Sequence, residues 1–350
     1  MVRRVAFAFP GDLQTPTGGY AYDRRMIDEL RKVGWQVDLV PLGEGFPQPT
    51  AEQKSFSQAQ LAALEAGVPI VIDGLAFGVL QEAARALQTS HRLLALVHHP
   101  LALETGVSEQ EARALRASER AALAATRAVI VTSPPTARLL VVDYGVPTER
   151  LTVALPGTDR GEPAPGSSDG TVRLVSVGAI VKRKGFDVLI AALGRLQDLP
   201  WHLTIAGDRG RDLDAVARLD ADIARHGLGN RVELLGAITP DHVAELYRRS
   251  DIFVLASHFE GYGMAYAEAM AHGLPVIGTT GGAIPETVPS AAGLLVPPDD
   301  VAALTLALHR LIEHAGLRQR LAAGAREAAL RLPSWKDSAR LFAGAIEAVA

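Results

Sequence analysis

The sequence contains no cysteine, and this absence excludes several kinds of chemistry at once. Disulfides, thiolate zinc sites and cysteine nucleophiles all require a thiol, so none of them can operate here. A chain without cysteine also suits a reducing compartment. We therefore expect neither a disulfide scaffold nor covalent catalysis through sulfur.

The sequence also lacks a large excess of one charge, because it contains 35 Lys and Arg residues and 39 Asp and Glu residues. This balance argues against nucleic acid as a partner. Charged residues or prolines interrupt the most apolar stretches, 61–80 and 287–298, so no membrane span is predicted. The apolar run before Pro10 is too short for a secretion signal, and we expect a cytoplasmic protein.

The chain does have ample apolar material, since 48% of its 350 residues are hydrophobic and 21% are charged. Such a composition favours a globular fold, and the length exceeds what one core usually carries. Short apolar runs bounded by Gly, Pro or Asp alternate with longer amphipathic stretches, as in repeated strand–helix–strand units. The predicted strands are residues 5–9, 35–40, 70–73, 93–98, 128–133, 151–155, 173–178, 202–207, 231–236, 251–257, 275–279 and 293–297.

Several of these runs are apolar at consecutive positions, which is typical of parallel strands covered on both faces. We therefore predict an α/β protein with two doubly wound, Rossmann-like parallel-sheet domains facing a cleft, with ligands at the carboxyl ends of the strands. Residues 156–170 are rich in Pro, Gly, Ser and Asp and indicate a linker. The predicted parts are a first domain 1–158, a linker 159–171, a second domain 172–335 and a final helix 336–350 able to pack back on the first domain.

Residues 251–282 hold the richest motif of the chain. A predicted strand leads into a glycine-containing turn, and a helix follows from about Met264 to His272. The N–H groups of Tyr262, Gly263 and Met264 open that helix and would point, with its dipole, at an anion. The pattern therefore predicts a phosphate cradle.

Two carboxylates flank this helix start, and taken alone Glu260 and Glu268 are better explained as a helix-terminal charge and a solvated residue. Their context changes that interpretation. The segment EGYGMAYAEAMAHGLPV, starting at residue 260, resembles the Glu-x7-Glu signature of the retaining family-4 glycosyltransferases of the GT-B fold. Further matches follow in the family's order: Gly18-Gly19, His98, SVGAIVKRKGFDVLIAAL after the linker, AGD at 206–208 and GGAIPETV at 281–288.

The resemblance implies roles for individual residues. Glu260 would hydrogen-bond hydroxyls of the donor sugar, Glu268 would accept from the ribose, and Lys184 would contact the donor diphosphate. Many members carry Arg where this chain has Ala179, and Arg183 resembles its substitute; without the resemblance, the basic run 182–184 would be a solvated loop. The remaining implied donor contacts are Gly18, Gly19, Gly178, Gly207, Gly236, Gly261, Tyr262, Gly263 and Met264.

Histidines close one strand of the first half of the chain. His98 resembles the family histidine beside the reacting sugar, and it joins Glu260, Arg183 and Lys184 as a candidate catalytic residue. His99 and Glu104 are weaker candidates for binding the acceptor.

The pair Gly18-Gly19 is by itself only a turn signal. Its spacing does not match the dinucleotide-binding fingerprint, which disfavours a nicotinamide enzyme.

No metal or cofactor is expected. The pairs Asp212/Asp214 and Asp220/Asp222 invite a metal assignment, but residues two apart on a helix point roughly 200° apart. The expected substrate is a UDP-, GDP-, ADP- or dTDP-sugar, and the expected reaction is a hexosyl transfer. The acceptor is a saccharide, a lipid or a small molecule, with at most peripheral membrane contact.

Two other classes stay open at this point. One is a sugar-nucleotide epimerase or glycogen phosphorylase of similar two-lobed fold. The other is a non-catalytic protein that binds a nucleotide-sugar.

Overall fold

The computed structural model describes residues 3–104 and 106–350. The chain divides into two compact units, of which unit 1 comprises residues 1–157 and 333–350 and unit 2 comprises residues 158–332. No helix in the described part of the chain is both long and apolar enough to cross a lipid bilayer.

Unit 1 is built on a parallel six-stranded sheet with helices between the strands. The strands are β1 (Arg3–Phe9), β2 (Trp35–Pro41), β3 (Pro69–Asp73), β4 (Arg92–Val97), β5 (Ala128–Val131) and β6 (Leu151–Val153). The helices between them are α1 (Gly18–Lys32), α2 (Ala51–Ala62), α3 (Gly74–Phe77), α4 (Gln81–Leu87), α5 (Glu109–Ala124) and α6 (Pro134–Tyr144). The order in the sheet is β2-β1-β3-β4-β5-β6, and β3 and β5 are buried along their whole length.

Unit 2 repeats this architecture with the strand order β12-β11-β10-β7-β8-β9. Its strands are β7 (Val172–Val177), β8 (Trp201–Ala206), β9 (Val232–Gly236), β10 (Ile252–Val254), β11 (Val276–Thr279) and β12 (Gly293–Val296). Its helices are α7 (Phe186–Leu193), α8 (Leu213–Arg225), α9 (Pro240–Arg248), α10 (Met264–Ala271), α11 (Ile284–Thr287), α12 (Val301–Glu313) and α13 (Ala315–Ala329). Each of the predicted strands therefore exists in the described residues, and the fold class is confirmed.

The last helix, α14 (Trp335–Glu347), belongs to unit 1. Its Phe342 is fully buried and stacks on Phe7 of β1, with ring centroids 6.5 Å apart. The guanidinium of Arg25 on α1 lies 5.0 Å from the ring centroid of Trp335. The C-terminal segment of unit 1 begins at residue 333, whereas the predicted second domain ends at residue 335.

The whole of the predicted linker, 159–171, lies within unit 2. The N–H of Ala164 donates to the carbonyl of His272 at 2.8 Å, and the N–H of Ser167 donates to Asp251 Oδ1 at 2.7 Å. The composition of this segment indicated an irregular backbone, but not that its amides are bound to the following sheet.

Each sheet has one place where the order of its strands reverses. In unit 1 the chain runs from β1 outward to β2 and then returns to the other side of β1 with β3. In unit 2 it runs from β7 to β8 and β9 and returns beside β7 with β10. Crevices at the carboxyl ends of such neighbouring strands are the usual ligand sites of doubly wound sheets.

Candidate functional site

Glu260 lies at the strand reversal of unit 2, in the loop between β10 and α10, and only 7% of it is exposed. Its Oε1 accepts hydrogen bonds from Lys184 Nζ and from Ser257 Oγ, both at 2.6 Å. Its Oε2 lies 3.3 Å from Arg183 Nη1. Burial alone would raise the pKa of Glu260, but Lys184 and Arg183 outweigh it and lower the pKa to about 2. The carboxylate is therefore ionised at neutral pH.

A short 3-10 turn after β7, residues 182–184, supplies the two cations. The Arg183 carbonyl accepts from the N–H of His258 at 2.8 Å, and Arg183 Nη1 donates to the carbonyl of Phe259 at 2.7 Å. A Cβ added at Gly178 would lie 3.2 Å from Cε of Lys184, so this glycine leaves room for the lysine chain. The loops that follow β7 and β10 are thus held together by backbone bonds and by the ion pairs with Glu260.

Three of the predicted donor-contacting glycines lie side by side at this edge of the sheet. The N–H of Gly178 donates to Ala206 O at 2.9 Å, and the N–H of Gly207 donates to Gly236 O at 2.8 Å. A Cβ at Gly207 would stand 1.8 Å from the carbonyl oxygen of Gly178, which no larger residue could tolerate. The close approach of these backbones is a packing requirement that sequence reasoning did not assign to Gly207.

Helix α10 begins beside Glu260, at the position that the motif predicted. Gly263 precedes the helix with φ of 93°, a left-handed conformation that glycine adopts without strain. Gly261 is half-buried, Tyr262 and Gly263 are buried, and Met264 is the first helical residue. The first N–H groups of a helix have no acceptor within the helix, so this end can bind an anion.

Glu268 has a different partner from Glu260. The buried hydroxyl of Tyr247, on α9, donates to Glu268 Oε2 at 3.3 Å. Sequence reasoning missed Tyr247, because the contact joins side chains of two separate helices and no local pattern reveals it.

His98 follows β4 in unit 1, and its Nε2 faces two acidic side chains. Asp23 Oδ1, from α1, lies 3.1 Å away, and Asp73 Oδ2, at the end of β3, lies 3.5 Å away. A Cβ at Gly19 would lie 3.3 Å from His98 Cδ2, while one at Gly18 would meet open space. Gly19 thus packs against the His98 ring. Sequence reasoning missed both aspartates, although the position of Asp73 at a strand's carboxyl end was an available signal.

Within residues 3–104 and 106–350, Asp23, Asp73 and His98 are the one set of three or more potential metal-ligand side chains whose ligand atoms all lie within 4.8 Å. The Asp-x-Asp pairs have other partners. Asp212 caps α8 by accepting from the N–H of Ala215, and Asp220 pairs with Arg209 at 2.7 Å.

The two weaker acceptor candidates are brought together. His99 Nε2 lies 2.9 Å from Glu104 Oε2, across the short 3-10 turn 101–103 that follows β4. Burial raises the pKa of Glu119, on α5, to about 7, and its carboxyl group accepts from the N–H of Leu101 in the same turn. Glu119 therefore fixes the loop that carries His99 and Glu104, the two candidate acceptor-binding residues.

Comparison with known proteins supports one family. Residues 160–328, which include the loops around Glu260, match the family described as "Glycosyl transferases group 1". Residues 160–328, about half of the chain, belong to this family. Among similar proteins, the D-inositol 3-phosphate glycosyltransferase of Xylanimonas cellulosilytica is 31% identical over 250 residues. That alignment covers 67% of this chain and 59% of the relative, so the chain matches about six-tenths of the relative's length.

Solved structures show that the chain has the GT-B fold. Sucrose-phosphate synthase from Thermosynechococcus elongatus matches with a TM-score of 0.82 and 21% identity, covering 99% of each chain. HepE from Anabaena, solved in complex with UDP and glucose, matches with a TM-score of 0.74 and 18% identity over 97% of this chain and 99% of its own. At these identities the likeness concerns the fold.

Proposed function

We propose that the protein transfers a sugar from a nucleotide-diphosphate sugar to an acceptor, with retention at the anomeric carbon and without a metal ion. The observation that carries this proposal is the pairing of Lys184 and Arg183 with the buried, ionised Glu260 at the strand reversal of unit 2. Two cations, a carboxylate and the first amides of α10 bind the two halves of such a donor, because the diphosphate is anionic and the sugar is rich in hydroxyl groups.

The chemistry requires stabilisation of a leaving group. The bond between the anomeric carbon and the diphosphate oxygen breaks, and a bond to the acceptor oxygen forms on the same face of the sugar. Negative charge grows on the diphosphate, where Lys184, Arg183 and the amides of Gly263 and Met264 stabilise it electrostatically. The proton of the acceptor hydroxyl passes to a diphosphate oxygen, which balances the step without an enzymic nucleophile.

The other candidate residues position the two substrates. Glu260 accepts hydrogen bonds from hydroxyl groups of the donor sugar, and Glu268, held by Tyr247, accepts from the ribose. His98 lies beside the reacting sugar in this proposal, and His99 with Glu104 contacts the acceptor. Similar proteins include a D-inositol 3-phosphate glycosyltransferase and a mannosylfructose-phosphate synthase, which favours a saccharide-like acceptor.

Uridine nucleotides are the first donors to test, because the structurally similar HepE was solved with UDP. The protein would be incubated in EDTA with α-linked UDP-, GDP-, ADP- and dTDP-sugars, without and with candidate acceptors. Released nucleotide would be quantified, and proton NMR would identify the anomer formed. We expect slow hydrolysis of one donor that first yields the α-anomer. Release of the β-anomer, accumulation of an epimerised donor or no release from any donor would contradict the proposal.

A further inference from the structure

Asp23 and Asp73 form a buried pair of carboxyl groups that have no role in the reaction proposed above. Asp23 is 0% exposed and Asp73 is 2% exposed, although both carry ionisable side chains. Asp73 Oδ1 accepts from the N–H of Leu75 at 2.7 Å and so caps α3. Among the described residues no donor reaches Asp23 Oδ2. This oxygen is therefore unpaired unless a proton lies between the two carboxyl groups.

The charges of Asp23, Asp73 and His98 limit the protonation states that this buried cluster can adopt. Two buried carboxylates without compensation are costly, and a buried acid with an unpaired oxygen adds to the cost. An imidazolium at His98, one carboxylate and one proton shared by the acids give a neutral group in which every oxygen has a partner. The pKa shifts agree with this arrangement. Burial raises the pKa of Asp23, and Asp73 raises it further. Burial alone would lower the pKa of His98, but the two aspartates outweigh it and raise the pKa.

The ring of His98 is also fixed by packing. The Tyr22 ring meets it edge-on with centroids 5.3 Å apart, and the backbone of Gly19 lies against Cδ2. Only 20% of the His98 side chain is exposed. Its Nε2 faces the aspartates, and within the described residues no hydrogen bond engages Nδ1. The second ring nitrogen is thus the one available to a ligand.

We propose that Asp23 and Asp73 are positioning residues that hold the His98 ring with Nε2–H facing them and Nδ1–H available to donate to a substrate oxygen. This inference rests on the proposed function for its substrate, a sugar or diphosphate oxygen of the donor. The two carboxyl groups act only through His98 and touch no reacting atom.

The test compares Asp23→Asn and Asp73→Asn with Asp28→Asn, an exposed aspartate on the same helix as Asp23. Nitrogen-15 NMR of histidine-labelled protein, with His98 assigned by the loss of its signals in His98→Gln, reports which ring nitrogens carry protons. We expect both nitrogens protonated at pH 7.5 in the parent and in Asp28→Asn, and loss of this state in Asp73→Asn. A neutral His98 in the parent would overturn this proposal. The NMR result does not depend on whether transferase activity is found.

Kinetics test the same inference separately. We expect Asp23→Asn to lower kcat roughly tenfold or more with nucleotide binding unchanged, because small displacements of a reacting group are costly. The double variant Asp23→Asn/His98→Gln should be no slower than His98→Gln alone. Additive losses would overturn the proposal, and so would stabilisation of the parent by Mg²⁺, Mn²⁺ or Zn²⁺ that Asp23→Asn abolishes. If Asp23→Asn does not fold, the same comparison with Asp73→Asn and the double variant Asp73→Asn/His98→Gln gives an equivalent test.

Discussion

Glu260 occupies an unusual position for a residue that is proposed to bind a sugar, because its carboxylate is already paired with Lys184 and Arg183. The same two cations are proposed to bind the diphosphate. Donor binding must then redistribute these ion pairs, with the phosphates competing against Glu260 for the cations. This competition separates the binding of nucleotide from the turnover of sugar, and the two can be measured independently.

Replacement of Glu260 by Gln should therefore affect the two measurements in opposite ways. A nucleoside diphosphate without sugar should bind as tightly as before or more tightly, since the negative charge beside Lys184 is removed. Turnover of the complete donor should fall by about 100-fold, in the range expected when one transition-state contact is lost. Calorimetry and nucleotide release would check both. Glu327→Gln, which alters an exposed carboxylate on α13, should change neither, and weaker nucleotide binding in Glu260→Gln would contradict the argument.

At the scale of the elements, the loop after β4 depends on one buried carboxyl group. Glu119 is 3% exposed, and it holds the N–H of Leu101 through both oxygens at 3.1 Å. Its native pKa of about 7 lies above the ordinary 4.5, so the folded protein holds a proton that the unfolded chain releases. The stability from this proton is complete below about pH 4.5 and is lost as the pH rises to about 7.

Glu119→Gln should remove this dependence. Between pH 4.5 and 7 the free energy of unfolding of unit 1 should fall by roughly 3 kcal/mol more in the parent than in the variant. Urea titrations at several pH values would measure the difference. Glu109→Gln, an exposed change on the same helix, should follow the parent curve. Parallel curves for the parent and Glu119→Gln would show that Glu119 is not protonated in the folded protein.

Helix α14 completes the core of unit 1 although it is the last element of the chain. Replacement of the fully buried Phe342 by Ala should destabilise unit 1 by about 3–5 kcal/mol, the usual cost of removing a buried aromatic ring. Hydrogen exchange should accelerate in β1 and α1, which contact this helix or its Phe342, and stay unchanged in β7 and β8. The neighbouring Leu341 is 54% exposed, so Leu341→Ala should cost less than about 0.5 kcal/mol. Equal effects in both units would contradict this assignment.

For the whole molecule, the strands could be predicted because their apolar runs are contiguous in the sequence. The loop with Glu260 and the basic run with Lys184 were found through an unbroken local motif and a family resemblance. Asp23, Asp73 and Tyr247 could not be found in this way, because each becomes significant only when separate elements meet. Asp23 has the pattern of a polar residue on an amphipathic helix, and its burial depends on where β3 and β4 end.

The prediction of the unit boundaries from the sequence is limited for a similar reason. An amphipathic final helix indicates that it covers something, but not which sheet it covers. The structure assigns α14 to unit 1 through Phe342 and Trp335. The proline- and glycine-rich composition of the segment before β7 likewise gives no sign that the N–H of Ser167 donates to Asp251.

The central claim is that unit 2 binds a nucleoside diphosphate through Lys184, and thermal unfolding with UDP, GDP, ADP and dTDP in EDTA tests it most directly. Lys182→Ala is the matched control, because Lys182 lies in the same short turn but is exposed. We predict that one nucleotide at about 100 times its Kd stabilises the parent and Lys182→Ala by about 2.7 kcal/mol, and that Lys184→Ala loses this effect. Stabilisation by none of the four nucleotides, or equal stabilisation of both lysine variants, would contradict the claim.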